Sequence, residues 1–230
     1  MMILHHHPFL PSCRFIRLVL AEHAIDVDLT LEPFWEQRPE FVAVNPGLTL
    51  PMAYDNGRGP VIGARVIMEY VSERYGEMRA AHRLMPSDPL QRAEVRRLVD
   101  WFLLKFDEEV SGPLVTERIL KVEMPSKRGG GAPDSHAMRA ARANIVGHMH
   151  YLGALTASRH WLAGDSLTFA DLAAAAALSS VDYLGEAPWD ADPMVKQWYQ
   201  RVKSRPAFRP LLTDKARLVA PSAHYADLDF

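Results

Sequence analysis

The chain predicts an α/β unit followed by an all-helical unit, and three stretches carry that prediction. Residues 45–71, NPGLTLPMAYDNGRGPVIGARVIMEYV, read as loop, strand, turn, strand and helix. Residues 78–88 are rich in charge and carry Pro86, with Pro89 just beyond, which suits a linker between domains. Two long amphipathic patterns follow, at 89–122 and from 134 to 158, with apolar residues recurring at helical spacing. The boundaries are then 1–77 for the α/β domain, 78–88 for the linker, 89–212 for the helical domain and 213–230 for a tail.

Composition bounds the function classes. The 230 residues are 48% apolar and 23% charged, enough to build a core. A formal net charge of −2 gives no electrostatic footprint for a nucleic acid. Cys13 is the single cysteine, which excludes an internal disulfide and a multi-cysteine metal site and suits a reducing cytoplasm. No stretch reaches the ~20 apolar residues of a membrane span, and 170–178 reads as a buried helix instead. No signal peptide and no useful internal repeat are visible.

Within the first domain, Met2, Ile3 and Leu4 start a strand that runs into His5, His6 and His7. Strand alternation sends His5 and His7 to one face and His6 to the other, so the three do not converge as metal ligands. A helix begins after Pro11, with Phe15, Ile16, Val19 and Leu20 on its apolar side. Residues 25–31 alternate as a half-buried strand. The two aromatics Phe34 and Trp35 follow between prolines, and one of them is expected on the surface as an interface anchor. Pro51 enters the next strand, where its missing N–H is tolerated. Asp55-Asn56-Gly57 supplies a hairpin turn. Val66, Ile67, Tyr70 and Val71 then mark a helix face that stops at Gly76.

In the second domain, Val95, Leu98, Trp101, Phe102 and Phe106 share a face, and Gly112-Pro113 predicts a kink. Residues 125–133, PSKRGGGAP, are a connector and no phosphate loop, since the Gly-Lys-Ser order is absent. Thr168 and Asp171 form a capping box for the helix that follows, with Leu167 and Leu172 placed as a hydrophobic staple. Helices at 193–204 and 207–212 come before an acidic tail, expected to dock in part along the body.

The N-P-x-x-x-L-P loop at 45–51, the P-x-C-x-x-I-R run from Pro11 to Arg17 and the T-x-A-D box at 168–171 resemble the glutathione transferase superfamily. The resemblance covers roughly residues 1–212. It implies a thioredoxin-like N-terminal domain, a mixed four-stranded sheet with helices, followed by a transferase-type helical bundle, with Leu50-Pro51 as a cis peptide. It also implies where glutathione chemistry would sit. The nucleophile-activating Ser or Cys falls on Leu10, the tyrosine of other classes falls on His6, and the Glu-Ser pair that grips the γ-glutamyl end falls on Gly63 and Ala64. Leucine, glycine and alanine side chains offer no donor or acceptor there.

Leu10, Leu50, Pro51, Gly63 and Ala64 therefore form a degenerate glutathione site, with no cofactor expected. Ser12 and Cys13 are the fallback catalytic groups, since amides at a helix N-terminus favour a thiolate. Their plainer readings are an N-cap serine and a small buried cysteine. The histidine-rich start, the missing Glu-Ser, the Gly-rich connector and the Ala-Asp-Leu-Asp-Phe ending make the chain similar to superfamily members that bind the bacterial division protein FtsZ. That resemblance implies a cytoplasmic, non-enzymatic homodimer that shapes FtsZ filaments at the division site, without nucleic acid or membrane insertion. Trp35, Asp227, Leu228 and Phe230 are the candidate partner contacts. The competing classes are a glutathione-dependent transferase or isomerase using Ser12 or Cys13, and a stress regulator of the same fold that binds another protein.

Overall fold

The computed structural model describes residues 1–76 and 83–230. Positions 77–82, which include most of the expected linker's first half, lie outside the described residues. The N-terminal domain runs β1 (Met2–His6), α1 (Pro11–Glu22), β2 (Val27–Leu31), a 3-10 turn at Phe34–Glu36, α2 (Pro39–Val44), β3 (Met52–Asp55), β4 (Arg58–Ile62) and α3 (Ala64–Tyr75). Its four strands lie in the order β2-β1-β3-β4. β1 is parallel to β2 in the register Leu4↔Leu29 and antiparallel to β3 in the register Leu4↔Ala53. β3 and β4 form the hairpin that Asn56-Gly57 predicts, both residues at positive φ.

Two sequence expectations shift at the edges of this sheet. β2 is an edge strand, covered on fewer sides than a half-buried strand, and Leu29 and Leu31 stay exposed. On α3 the buried face is Ala64, Ile67, Met68 and Val71. Val66, about 100° around the helix from Ile67, is left outside at 57% exposure.

The C-terminal domain opens with α4 (Pro89–Asp100), capped by the Asp88 carboxylate on the Gln91 N–H. It continues without interruption to Lys121–Glu123 through π turns at Trp101–Lys105, Asp107–Ser111 and Thr116–Leu120. The expected kink at Gly112-Pro113 is taken up by these wide turns. Pro113 has no N–H for the Glu109 carbonyl one turn back, and Asn144 Nδ2 donates to that oxygen at 3.1 Å instead. α5 (Ser135–Ser158), α6 (Phe169–Tyr183), α7 (Pro193–Lys203) and α8 (Arg209–Leu212) complete the bundle.

α6 is buried along its whole length. Five consecutive alanines, 173 to 177, keep it slim enough for α1 and α4 to close on it. The capping box forms as expected, and Asp171 also accepts from Leu162 N (2.8 Å) and Trp198 Nε1 (3.0 Å). One hydrophobic core runs through both domains, from Phe15 and Ile16 of α1 to Phe169 and Ala173 of α6. A small second cluster of Cys13, Phe41, Leu50 and Met52 lies under α2.

Candidate functional site

The cleft that sequence reasoning singles out is assembled around Leu50. Asn45 closes its loop, donating from Nδ2 to the Thr49 carbonyl at 2.7 Å and accepting the Thr49 N–H at 3.3 Å. Leu50-Pro51 is cis. The Gly63 N–H donates to the Pro51 carbonyl at 2.9 Å, tying the start of α3 to the loop. Gly63 has φ +92, and a Cβ there would meet only Thr49 at 4.0 Å, so backbone conformation rather than space selects glycine. Leu10, half-buried, packs against both hydrophobic clusters. Leu10 thus shares a cluster with Leu50, and the loop is tied to Gly63; Leu10, Leu50, Pro51, Gly63 and Ala64 carry no charge.

Leu10 itself occupies the N-cap of α1, its carbonyl accepting from Cys13 N and Arg14 N and its side chain capping nothing. Ser12 is therefore not the N-cap that the sequence suggests. It stands in the first turn and donates from Oγ to the Leu50 carbonyl at 3.0 Å. Cys13 is fully buried, and burial pushes its thiol up to about 12, against a hydrogen bond from the His7 N–H. Here desolvation outweighs the helix N-terminus, and the group is a thiol, not a thiolate, at neutral pH. At the tyrosine position, burial, with the Arg17 charge second, pushes the His6 imidazole down to about 3.

Trp35 sits beside this cleft and is half-buried, as is Phe34, so neither is the freely exposed anchor expected of one of them. The Trp35 ring meets His7 edge-on at 5.8 Å and Phe34 at 5.3 Å. His7 accepts the Phe9 N–H at Nδ1 and faces Glu123 with Nε2 at 2.9 Å. The Phe34–Glu36 turn is thereby held against the end of the long helix, and Arg128 of the Gly-rich connector reaches the Glu36 carbonyl. His5 diverges from this pair, 3.6 Å from Glu32, so the adjacent histidines serve separate carboxylates.

The tail contacts are anchored elsewhere, on α1, α6, α7 and α8. Tyr225 is buried and receives the Arg14 guanidinium on its hydroxyl. Ser222 N donates to the Tyr183 carbonyl, and Tyr183 Oη donates to the Val219 carbonyl. Asp227 is exposed, Leu228 half-buried, and Phe230 half-buried against Trp189, Tyr199 and His224. Beneath them lies a group that sequence reasoning missed: Asp182 and Lys203, both fully buried and 3.4 Å apart. A signal was present in the pattern. Asp182 follows the apolar run 172–178 and Ser179-Ser180 on a fully buried helix, and Lys203 follows Val202 onto the packed side of α7.

The comparisons with known proteins agree with this architecture. The glutathione S-transferase N-terminal domain family matches residues 4–79, and the C-terminal domain family matches residues 138–206. A glutathione S-transferase from Sinorhizobium meliloti 1021 has the same fold, with a TM-score of 0.98 at 51% identity and 100% of both chains covered. The chain belongs to the glutathione S-transferase family. Within it, FtsZ-localized protein A of Caulobacter vibrioides is 41% identical over 99% of this chain and 97% of its own length. The structure of FzlA from C. crescentus superposes with a TM-score of 0.90 at 40% identity, covering 100% of this chain and 99% of that one. Among the described residues no helix is long and apolar enough to cross a membrane.

Proposed function

We propose that this chain is a non-catalytic member of its family that binds FtsZ filaments in the bacterial cytoplasm, as a homodimer, and modulates their curvature at the division site. The observation that carries this reading is the likeness to FtsZ-localized protein A along essentially the whole chain. The cleft supports it: Leu10, Gly63 and Ala64 leave glutathione without its usual side-chain partners. Trp35, at the junction of the two domains, and Asp227, Leu228 and Phe230 of the tail are the contact residues of this reading.

The homodimer has a surface that suits it. A groove of about 640 Å³ lies between β4, α3 and α4, with Val61, Val66 and Val99 on its apolar side and Arg65, Glu69 and Arg96 around them. Both signs of charge on one patch fit a two-fold interface, where the same surface must complement itself. Two sites on one dimer would bridge or bend a filament through avidity.

FtsZ co-sedimentation tests this reading. The chain is expected to pellet with polymerised FtsZ, and Val66→Asp to lower both the sedimentation coefficient of the free protein and the pelleted fraction. A chain that stays in the supernatant at all FtsZ concentrations contradicts it. The second reading is a glutathione-dependent transferase, favoured by one observation: the Ser12 hydroxyl lies in the first turn of α1, beside the Leu50 backbone. Glutathione turnover abolished by Ser12→Ala would establish it.

A further inference from the structure

Asp182 is the centre of a buried polar group that neither the glutathione site nor the Trp35 junction uses. It accepts from Trp189 Nε1 at 2.9 Å, from Tyr199 Oη at 3.1 Å and from Lys203 Nζ at 3.4 Å, and it faces His224 Nε2 at 2.9 Å. Four partners around one carboxylate fix the positions of the side chains that supply them. Those side chains, in turn, form a cage around the Phe230 ring. Lys203 Nζ stands 4.1 Å from its centroid and Lys196 Nζ 5.1 Å. His224 stacks on it at 4.9 Å, and Trp189 meets it edge-on at 5.3 Å. Gln200 Nε2 donates to the Phe230 backbone oxygen at 2.8 Å.

The cage selects a particular chemistry. Two ammonium groups over one ring make cation–π contacts, worth most where the cation is desolvated, as Lys203 is. The same two cations favour carboxylates beside the ring, and Asp229 precedes Phe230 directly, with Asp227 two residues before Asp229. The tail is held unequally. Tyr225 is locked deep, whereas 226–230 is held by the cage on Phe230 and by the Asp227 N–H on the His224 carbonyl at 3.0 Å, with Asp227 exposed. The Tyr225 anchor, on Arg14 and the Leu211 carbonyl, is made without any contact from 226–230. Departure of 226–230 uncovers an aromatic surface and a buried cation, which only a ligand of similar chemistry covers again.

We propose that the cage formed by Trp189, Lys196, Tyr199, Gln200 and Lys203 is a peptide-recognition site for an aromatic side chain flanked by carboxylates, filled in cis by residues 226–230 and open to an external acidic-aromatic segment by exchange. The cis occupant acts at the millimolar effective concentration of a short tether, so it is a strong competitor of any free peptide. Exchange also releases Asp227, Leu228 and Phe230, a consequence that rests on the contact role assigned to them above; the cage itself does not.

Fluorescence anisotropy with a labelled YADLDF peptide, the sequence of residues 225–230, tests the proposal on the full chain. The Phe230→Ala protein is expected to bind the peptide at least about tenfold more tightly than wild type, because the cis competitor has lost its ring. Lys196→Glu added to that variant should weaken binding several-fold. Gln200→Ala serves the same purpose if circular dichroism shows the first variant unfolded. Binding to Phe230→Ala no tighter than to wild type overturns the proposal, as does equal binding of a YADLDA control peptide. FtsZ co-sedimentation of the wild-type chain is read separately, so failure of the cage leaves the filament reading standing.

Discussion

Around Leu50, the N-terminal domain gathers backbone groups in a demanding geometry and sets them beside Leu10, Gly63 and Ala64, whose side chains have nothing to donate. Around Phe230, the C-terminal domain does the reverse: an irregular tail, with neither helix nor strand, meets a buried carboxylate, two ammonium groups and three aromatic or imidazole rings. The first region has the shape that the family resemblance assigns to a ligand site, with apolar or absent side chains at Leu10, Gly63 and Ala64. The second holds dense chemistry with no inherited loop to mark it. Shape and reactive chemistry are separable in this fold, and a site is better recognised by what its side chains can exchange than by the turn that carries them.

The largest effect that would sharpen this contrast is at Asp182. Replacing it with Ala leaves Lys203 buried without its counter-ion and strips Trp189 and Tyr199 of their acceptor. A loss of about 3–5 kcal/mol is expected in urea unfolding, the range for an uncompensated buried charge. A loss below ~1 kcal/mol would show that the cage is not held by this carboxylate. The next effect concerns the cleft. The triple variant Leu10→Ser, Gly63→Glu, Ala64→Ser returns donors and acceptors to the geometry already present. It is expected to gain glutathione binding by calorimetry while melting a few degrees lower. The lower Tm follows because Gly63 has φ +92, a region where a non-glycine residue costs about 1–2 kcal/mol.

Much of this was legible beforehand. Asn45, Pro51, Asn56-Gly57, Thr168 and Asp171 each act on the backbone nearest to them, so short-range rules read them directly. The identities of Leu10, Gly63 and Ala64 are plain in the sequence, and the glutathione titration below tests what they imply for binding. What depended on distant partners was not. Val66 moved outward because α3 turns Ile67 to the core, and Trp35 was drawn inward by His7 and Glu123, the latter 88 residues along the chain. The tail's attachment rests on Tyr183, Arg14 and Lys203, none of them near it in sequence. Charged residues at helix positions otherwise apolar, such as Asp182 and Lys203, were the one hint.

A smaller effect separates the two regions by pH. The buried His6 imidazole, held down at about 3 against an ordinary 6.5, favours folding fully above pH 6.5. That contribution is lost as pH falls toward 3, since unfolding then takes up a proton that the folded site refuses. His6→Gln should flatten the fall in the urea midpoint between pH 6.5 and 4. If the fall is unchanged, the acid sensitivity resides elsewhere. The smallest effect on stability is expected at the exposed Asp227: Asp227→Lys should change unfolding by within ~0.5 kcal/mol and yet reduce FtsZ co-sedimentation. Trp35→Glu should likewise stay folded while losing FtsZ, with a larger stability loss than Asp227→Lys because its ring packs on His7. Unfolding of either variant would return that residue to a packing role.

The most direct test is a calorimetric titration of the wild-type chain with glutathione up to millimolar concentration. No heat and no thermal shift are expected, because Leu10, Gly63 and Ala64 offer the ligand no side-chain partner. A micromolar Kd, about −8 kcal/mol, would contradict this by showing that the Leu50 backbone and Ser12 suffice to hold it.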